Sequence, residues 1–246
     1  MVLGRALRAV EDASLRPTAL LFTGDLVENG APDEYRRLRD LLELAAARIG
    51  APAVYVAGNH DDRAVLREHL LGEFPTARPL DHVVRLGNLR IIVLDSTVPG
   101  YGYGELEPEQ LTWLRSALAE PAPDGTVLTL HHPPLPSSAP LATAIELQHR
   151  EQLAEVIDGT DVRVVLAGHT HVVSAGILAG VPVWTGGAIA TTLDGLGSDG
   201  ALRGLRAPAV SRVDLFADTA VVTSVPIGAE TLTTVPELRA QLPGRP

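Results

Sequence analysis

The chain has 246 residues, 46% of them hydrophobic and 20% charged, with a formal net charge of −10. That describes a globular protein able to bury one sizeable core, without the basic face that a nucleic-acid grip requires. Cysteine and lysine are both absent, which excludes disulfides, zinc–thiolate sites, cysteine nucleophiles, lysine-bearing phosphate loops and Schiff-base chemistry.

No apolar run approaches the ~18 residues of a membrane span. Arginines interrupt the opening "MVLGRALRAV" where a secretory signal needs its apolar middle, so a cytoplasmic location is expected. Any metal must be held by His, Asp, Glu or Asn, ligands suited to manganese, iron or zinc.

Five β-branched-rich runs have the length of buried strands: "TALLF" (18–22), "AVYVA" (53–57), "LRIIVL" (89–94), "TVLTL" (126–130) and "VRVVLA" (162–167). Between them, "PDEYRRLRDLLELAAARI" places Tyr35, Leu38, Leu41, Leu42 and Ala45 on one helical stripe behind Pro32. "PEQLTWLRSALAE" repeats that design, with Pro108 at its start and Leu111, Leu114 and Leu118 on one face. "IELQHREQLAEVI" predicts a third helix. Alternation of strand and helix specifies a layered α/β fold. Beyond residue 171 the runs are short and Gly-punctuated, without helices between them, and antiparallel strands are expected. Residues 194–208 read as a Gly-rich connection, and the tail as a short, frayed helix at most.

The residues just after each strand carry the chemistry. The first run delivers Gly24-Asp25, the second Gly58-Asn59-His60-Asp61, the third Asp95, the fourth His131-His132 and the fifth His169 and His171. Ligands of α/β sheets bind outside the carboxyl ends of the strands, so these stretches should converge on one rim. Five of the eight histidines fall in these positions. Singly, each group has an ordinary explanation: Gly-Asp a turn, Asp61 or Asp62 a helix cap, Asp95 the closure of its strand, His-His-Pro-Pro a surface loop. Together they predict a metal site. Asp25 offers a carboxylate able to bridge two cations, Asn59 a neutral oxygen, and His131, His169 and His171 imidazole nitrogens. If the chain is extended there, residues two apart point the same way and bring His169 and His171 to one site.

The ordered set Gly-Asp, Gly-Asn-His-Asp, His-His and Gly-His-x-His resembles the calcineurin-like metallophosphoesterases, and within them the class III cyclic nucleotide phosphodiesterases of actinobacteria. The likeness runs through "EYRRLRDLL", "GNHDDRAVLRE", "RIIVLDSTVPG", "LHHPP" and "GTDVRVVLAGH". It implies a four-layer α/β/β/α sandwich over residues 1–226, a C-terminal tail over 227–246, and two divalent ions, manganese or iron with zinc as a further option. Asp25 would bridge both ions. Asn59, His131 and His169 would complete one shell, and His171 would belong to the other. His60 would act as general acid while a metal-bound hydroxide attacks phosphorus, turning cyclic AMP into the 5′-monophosphate. Homodimers are common in the family and are expected here.

Two departures bear on these expectations. The family's first motif, Asp-x-His on a first strand, does not occur before Asp25; "LGRALRAVEDAS" resembles the helix that comes after that strand. The second ion's site is therefore incomplete, and the sheet is expected to lack its first strand. The expected explanation is a start downstream of the natural one; the other is a one-metal relative that binds without catalysis. In the substrate-side loop "PGYGYGE", Tyr101 and Tyr103 stand where histidine is expected, leaving open a broader phosphodiesterase acting on 2′,3′-cyclic nucleotides and other diesters.

Overall fold

The computed structural model describes residues 2–13, 15–137, 140–196 and 203–229. The middle of the Gly-rich connection (197–202) and all but the first three residues of the expected tail lie outside them. The elements run α1 (Val2–Asp12), β1 (Leu20–Thr23), α2 (Pro32–Ile49), β2 (Ala53–Val56), α3 (Arg63–Leu66), β3 (His82–Leu86), β4 (Leu89–Val93), α4 (Pro108–Leu118), β5 (Thr126–Thr129) and α5 (Arg150–Ile157). Then come β6 (Val162–Ala167), β7 (Ser174–Leu178), β8 (Val181–Thr185), β9 (Thr192–Leu193), β10 (Gly204–Leu205), β11 (Ala209–Leu215) and β12 (Ala220–Pro226).

Helix α2 shows how local chemistry sets the boundaries. Pro32 opens it, and the Glu34 carboxylate accepts the N–H groups of Asn29 and Ala31, each at 3.1 Å. Gly50 ends it in the left-handed region (φ 77°), donating its N–H to the Ala46 carbonyl. Its stripe of Tyr35, Leu42, Ala45 and Ile49 is buried.

The principal sheet has the order β3-β4-β5-β6-β8-β7, with β4, β5, β6 and β8 parallel and an antiparallel strand at each edge. Alternation along its strands separates two cores. Ile92, Leu94, Leu128, Leu130 and Val165 face α4 and α5. Ile91, Val93, Val127, Val164 and Leu166 face a middle layer made of the parallel pair β1–β2 and the hairpin β11–β12. The outer side of β1–β2 is covered by α1 and α2 through Leu7, Leu42, Ala45 and Ile49. The expected four-layer α/β/β/α sandwich is thus present. Its middle layer consists of two separate two-stranded units.

Three details differ from expectation. The third helix begins only at Arg150, because Leu147 is engaged in a β-bridge to Gly104 and His149 sits at φ 51°. Strand β3 is not among the expected runs, although the two residues Gly87-Asn88 between it and β4 are a hairpin signal. The Gly-punctuated strands after residue 171 do form antiparallel pairs (β7–β8, β9–β10, β11–β12), but β8 also runs parallel to β6. Among the described residues no helix is long and apolar enough to cross a membrane.

Candidate metal centre

Strand register places the functional residues at one rim. In the β1–β2 pair, Thr23 lies opposite Val56, which sets Gly24-Asp25 beside Gly58-Asn59. In the principal sheet Val93, Thr129 and Leu166 are level, and Gly168 donates its N–H to the His131 carbonyl at 3.0 Å. The strand-end loops meet so closely, across the two layers at Gly24 and Gly168 and within the β1–β2 pair at Gly58, that side chains are barred there. A Cβ at Gly24 would lie 2.2 Å from His131 Nδ1, one at Gly58 2.1 Å from the Asp25 nitrogen, and one at Gly168 2.9 Å from the Thr23 carbonyl oxygen. Gly24 also sits at φ 96°.

His131 Nε2 is the meeting point. It lies 3.1 Å from Asn59 Oδ1, 3.1 Å from His169 Nδ1 and 3.4 Å from Asp25 Oδ2. The far sides of both rings identify what these contacts are. His131 Nδ1 faces the Thr23 carbonyl at 2.8 Å and His169 Nε2 faces the Ile145 carbonyl at 2.9 Å. A carbonyl only accepts, so each of those nitrogens carries the ring's hydrogen and, in a neutral ring, the opposite nitrogen is bare. With both rings neutral, two bare nitrogens, a carboxylate oxygen and an amide oxygen converge with no hydrogen to share. A positive charge among them reconciles the contacts, supplied by a metal ion or by a proton on His131 Nε2 beside the Asp25 carboxylate. Two ligands each about 2.1 Å from one ion lie roughly 3.0–3.4 Å apart for octahedral to tetrahedral angles, which is the spacing seen. The carbonyls of Thr23 and Ile145 are the outer partners that orient metal-binding imidazoles.

Burial, and then repulsion from His131, lowers the His169 pKa to about 4, so its ring is neutral near pH 7. Burial alone would raise the Asp25 carboxyl, but the bond and charge of His131 and the backbone N–H of His60 outweigh it and hold it well below the usual carboxylate range. Strain marks the same places: of five non-glycine residues at positive φ among the described residues, three are Asp25 (51°), His169 (69°) and His171 (55°).

Those angles correct one expectation. The Gly-His-x-His segment is not extended, so the period-two argument for His169 and His171 fails. Asp25, Asn59, His131 and His169 are brought together; His171 is half-buried, and no hydrogen bond links its ring to the other four. His60 is exposed beside them. Its N–H donates to Asp25 Oδ1 at 3.1 Å, and its Nδ1 is tied to the Glu28 carbonyl at 3.1 Å, leaving Nε2 at the rim. Burial lowers the His60 pKa, but the Glu28 carbonyl and the charges of Asp25, Glu28 and Asp61 outweigh it, and the net direction is upward.

Other residues of the site are not distinguished by sequence. His132 is fully buried in the same histidine cluster, its ring 4.3 Å from that of His169. Both its nitrogens are engaged, with Ser96 Oγ at 2.9 Å and the Gly102 carbonyl at 3.2 Å, so it braces the site rather than offering a ligand. Asp95 closes β4: it pairs with Arg63 at 2.8 Å and accepts from Leu80 and Thr97. Asp62, not Asp61, caps α3, accepting from Ala64 and Val65. His69, His82 and His149 stand apart from the site, each with a local partner in Glu68, the Leu80 carbonyl and Glu151 respectively.

Comparison with known proteins adds to this geometry. The model of the calcineurin-like phosphoesterase family matches residues 3–173. The chain is 47% identical over 227 residues to a cAMP/cGMP dual specificity phosphodiesterase of Mycobacterium tuberculosis, covering 92% of this chain and 71% of that one. It is 45% identical over 228 residues to a Rhodococcus erythropolis protein named "Probable cyclic nucleotide phosphodiesterase", covering 92% of this chain and 76% of the other. A dimetal phosphatase from Danio rerio superposes with a TM-score of 0.64 at 15% identity, covering 92% of this chain and 85% of that one, a likeness of fold alone.

Proposed function

The chain belongs to the calcineurin-like phosphoesterase family, and from that premise we propose that it hydrolyses 3′,5′-cyclic nucleotides, cyclic AMP foremost, to 5′-monophosphates. The observation that carries the reading is the convergence of Asn59, His169 and Asp25 on His131 Nε2 at 3.1, 3.1 and 3.4 Å, the spacing of ligands around one ion. The two relatives' names support the substrate class.

Those four residues would hold one divalent cation, manganese or iron, with zinc as the further candidate. Asp25 has a second oxygen to share with another ion, toward which His171 would contribute. Bound cations in this family of chemistry supply Lewis acidity toward phosphoryl oxygens and lower the pKa of water. The chain's own residues do the rest. His60, fixed by Glu28 through Nδ1, presents Nε2 at the rim. From there it gives a proton to the 3′-oxygen as the P–O3′ bond breaks and the new P–O bond to water forms. The buried rings of His131 and His132, with the half-buried ring of His169, keep bulk water from behind the site. We assign residues 1–226 to the catalytic domain and 227–246 to a tail, and place the protein in the cytoplasm as a homodimer acting on a small-molecule diester.

The deciding experiment loads the purified chain with Mn²⁺, counts ions per chain, and compares kcat/KM on 3′,5′-cyclic AMP, 2′,3′-cyclic AMP and bis(4-nitrophenyl) phosphate. Bound Mn²⁺ and a preference for 3′,5′-cyclic AMP are expected, with His60→Ala losing about 10²–10⁴ in turnover. Equal rates on all three diesters would replace the reading with a broad-specificity phosphodiesterase. The left-handed backbone at His171, which removes the extended geometry that would aim it with His169, favours a second reading, a one-metal protein that binds without catalysis. One ion per chain and no turnover would establish it.

A further inference from the structure

Asp25 and Asn59 come from loops after two different strands, and something must hold those loops in register. One carboxylate does so. Asp61 Oδ2 accepts the N–H of Leu26, the residue after Asp25, at 3.1 Å, and the N–H of Gly58, the residue before Asn59, at 2.8 Å. Its Oδ1 accepts the hydroxyl of Tyr35 at 2.9 Å, and that hydroxyl in turn accepts the Asp62 N–H at 3.0 Å. Tyr35 is wholly buried on α2. Three donors meet the carboxylate from three segments of chain, and the tie spans residues 26 to 62.

We infer that Asp61 and Tyr35 are positioning residues that preassemble the Asp25–Asn59–His60 corner before a cation arrives. Neither side chain touches the converging donors; both act through the backbone on either side of them. The inference rests on the metal-site reading above, and its consequence is thermodynamic. With the corner already ordered, binding a cation need not also freeze two loops, whose ordering would otherwise be subtracted from the affinity.

The test measures Mn²⁺ affinity by the paramagnetic signal of free ion, together with amide hydrogen exchange in the metal-free protein. In the wild-type chain the Leu26 and Gly58 amides should exchange slowly without metal. Asp61→Ala should free both and weaken Mn²⁺ binding by about 10–100-fold, the effect of removing an outer-shell partner. Asp61→Asn, whose amide oxygen can still serve both N–H groups, should restore most of the affinity. Tyr35→Phe keeps the buried ring and loses only the hydroxyl, so it carries the test if Asp61→Ala does not fold, with a smaller loss expected. Wild-type affinity in folded Asp61→Ala or Tyr35→Phe would overturn the inference, as would fast exchange of Leu26 and Gly58 in the wild type. If the wild-type chain bound no Mn²⁺ the functional reading would fall instead, while the exchange measurement would still judge the tie.

Discussion

The site is shared between two regions built to different standards. His131 and His169 stand at the ends of β5 and β6, in the interior of a six-stranded sheet, where all four residues of β5 and five of the six of β6 are buried. Asp25, Asn59 and His60 stand beyond β1 and β2, a parallel pair in which every residue of β1 is only half-buried. Parallel strands are ordinarily found inside larger sheets covered on both faces. The principal sheet therefore holds its half of the site by burial, whereas the other half depends on side-chain ties and close backbone contact. The lesson is that the two halves of one site are held by different means, so a change at the rim and a change far from it can act separately on function and on stability.

The largest effect should come from the shared atom set. His131→Ala removes the nitrogen on which the other donors converge. A loss of several kcal/mol of transition-state stabilisation, on the order of 10³-fold in kcat/KM, is expected. Folding should survive, since the pocket's polar lining can take up water. Activity assays beside urea unfolding would check it, and retention of metal and turnover would remove the centre from this position.

A comparable energy with the opposite consequence is expected from the far end of the principal sheet. Arg90, 2% exposed, pairs with Asp161 at 2.7 Å and is further held by Thr126 and the Ala117 and Glu120 carbonyls. Asp161→Ala strands a buried guanidinium and should destabilise the chain by about 3–5 kcal/mol. Mn²⁺ affinity of the molecules that remain folded should not move. Were affinity to fall in step with stability, the rim of the sheet and its far end could not be treated as independent.

A smaller effect depends on pH. Burial, opposed by hydrogen bonds from the Asp95 N–H and Gln110, raises the Asp81 pKa from 3.8 to about 6. A raised carboxyl means that the folded state keeps a proton the unfolded chain has released. Its contribution to stability is complete below about pH 4 and is lost as the pH climbs through about 6, by about 2–3 kcal/mol in all. Urea midpoints at pH 4.5 and 7 should differ accordingly. Asp81→Asn, which preserves the acceptor for both partners, should flatten that slope, and an unchanged slope would assign the titration elsewhere.

The smallest effect lies on the surface, in the segment between β4 and α4. Tyr101 is 60% exposed and its ring lies 5.2 Å from that of Tyr103. Tyr101→Ala should alter stability by less than about 0.5 kcal/mol. A selective fall in kcat/KM for cyclic AMP over bis(4-nitrophenyl) phosphate would assign the pair to the base; equal rates would leave it as loop packing.

Most of the layered fold could be read in the sequence, because it rests on local periodicity. The five strands and the Pro32–Ile49 helix follow from apolar spacing, a proline at one end and a glycine at the other. The candidate ligands Asp25, Asn59, His131 and His169 were legible as polar residues placed just after strands. The features that could not be read depended on backbone angle or on distant partners. His169 and His171 adopt left-handed conformations that no alternation pattern reports. The tie through Asp61 and Tyr35 joins residues 26 apart, so Asp61 looked like a cap. His132 looked identical to its neighbour, and only Ser96 and Gly102 distinguish it as a brace.

The three glycines where the strand-end loops meet set a limit on how this protein can vary. At Gly24, Gly58 and Gly168 even one added carbon would meet an imidazole, a backbone nitrogen or a carbonyl oxygen inside contact distance. A library randomised across all three loops and selected for metal binding should therefore return glycine at these positions while sampling freely at exposed neighbours such as Glu28 and Asn29. Descent from a common ancestor could drift at many ligand-adjacent positions, but the closeness of the two layers would be inherited whole.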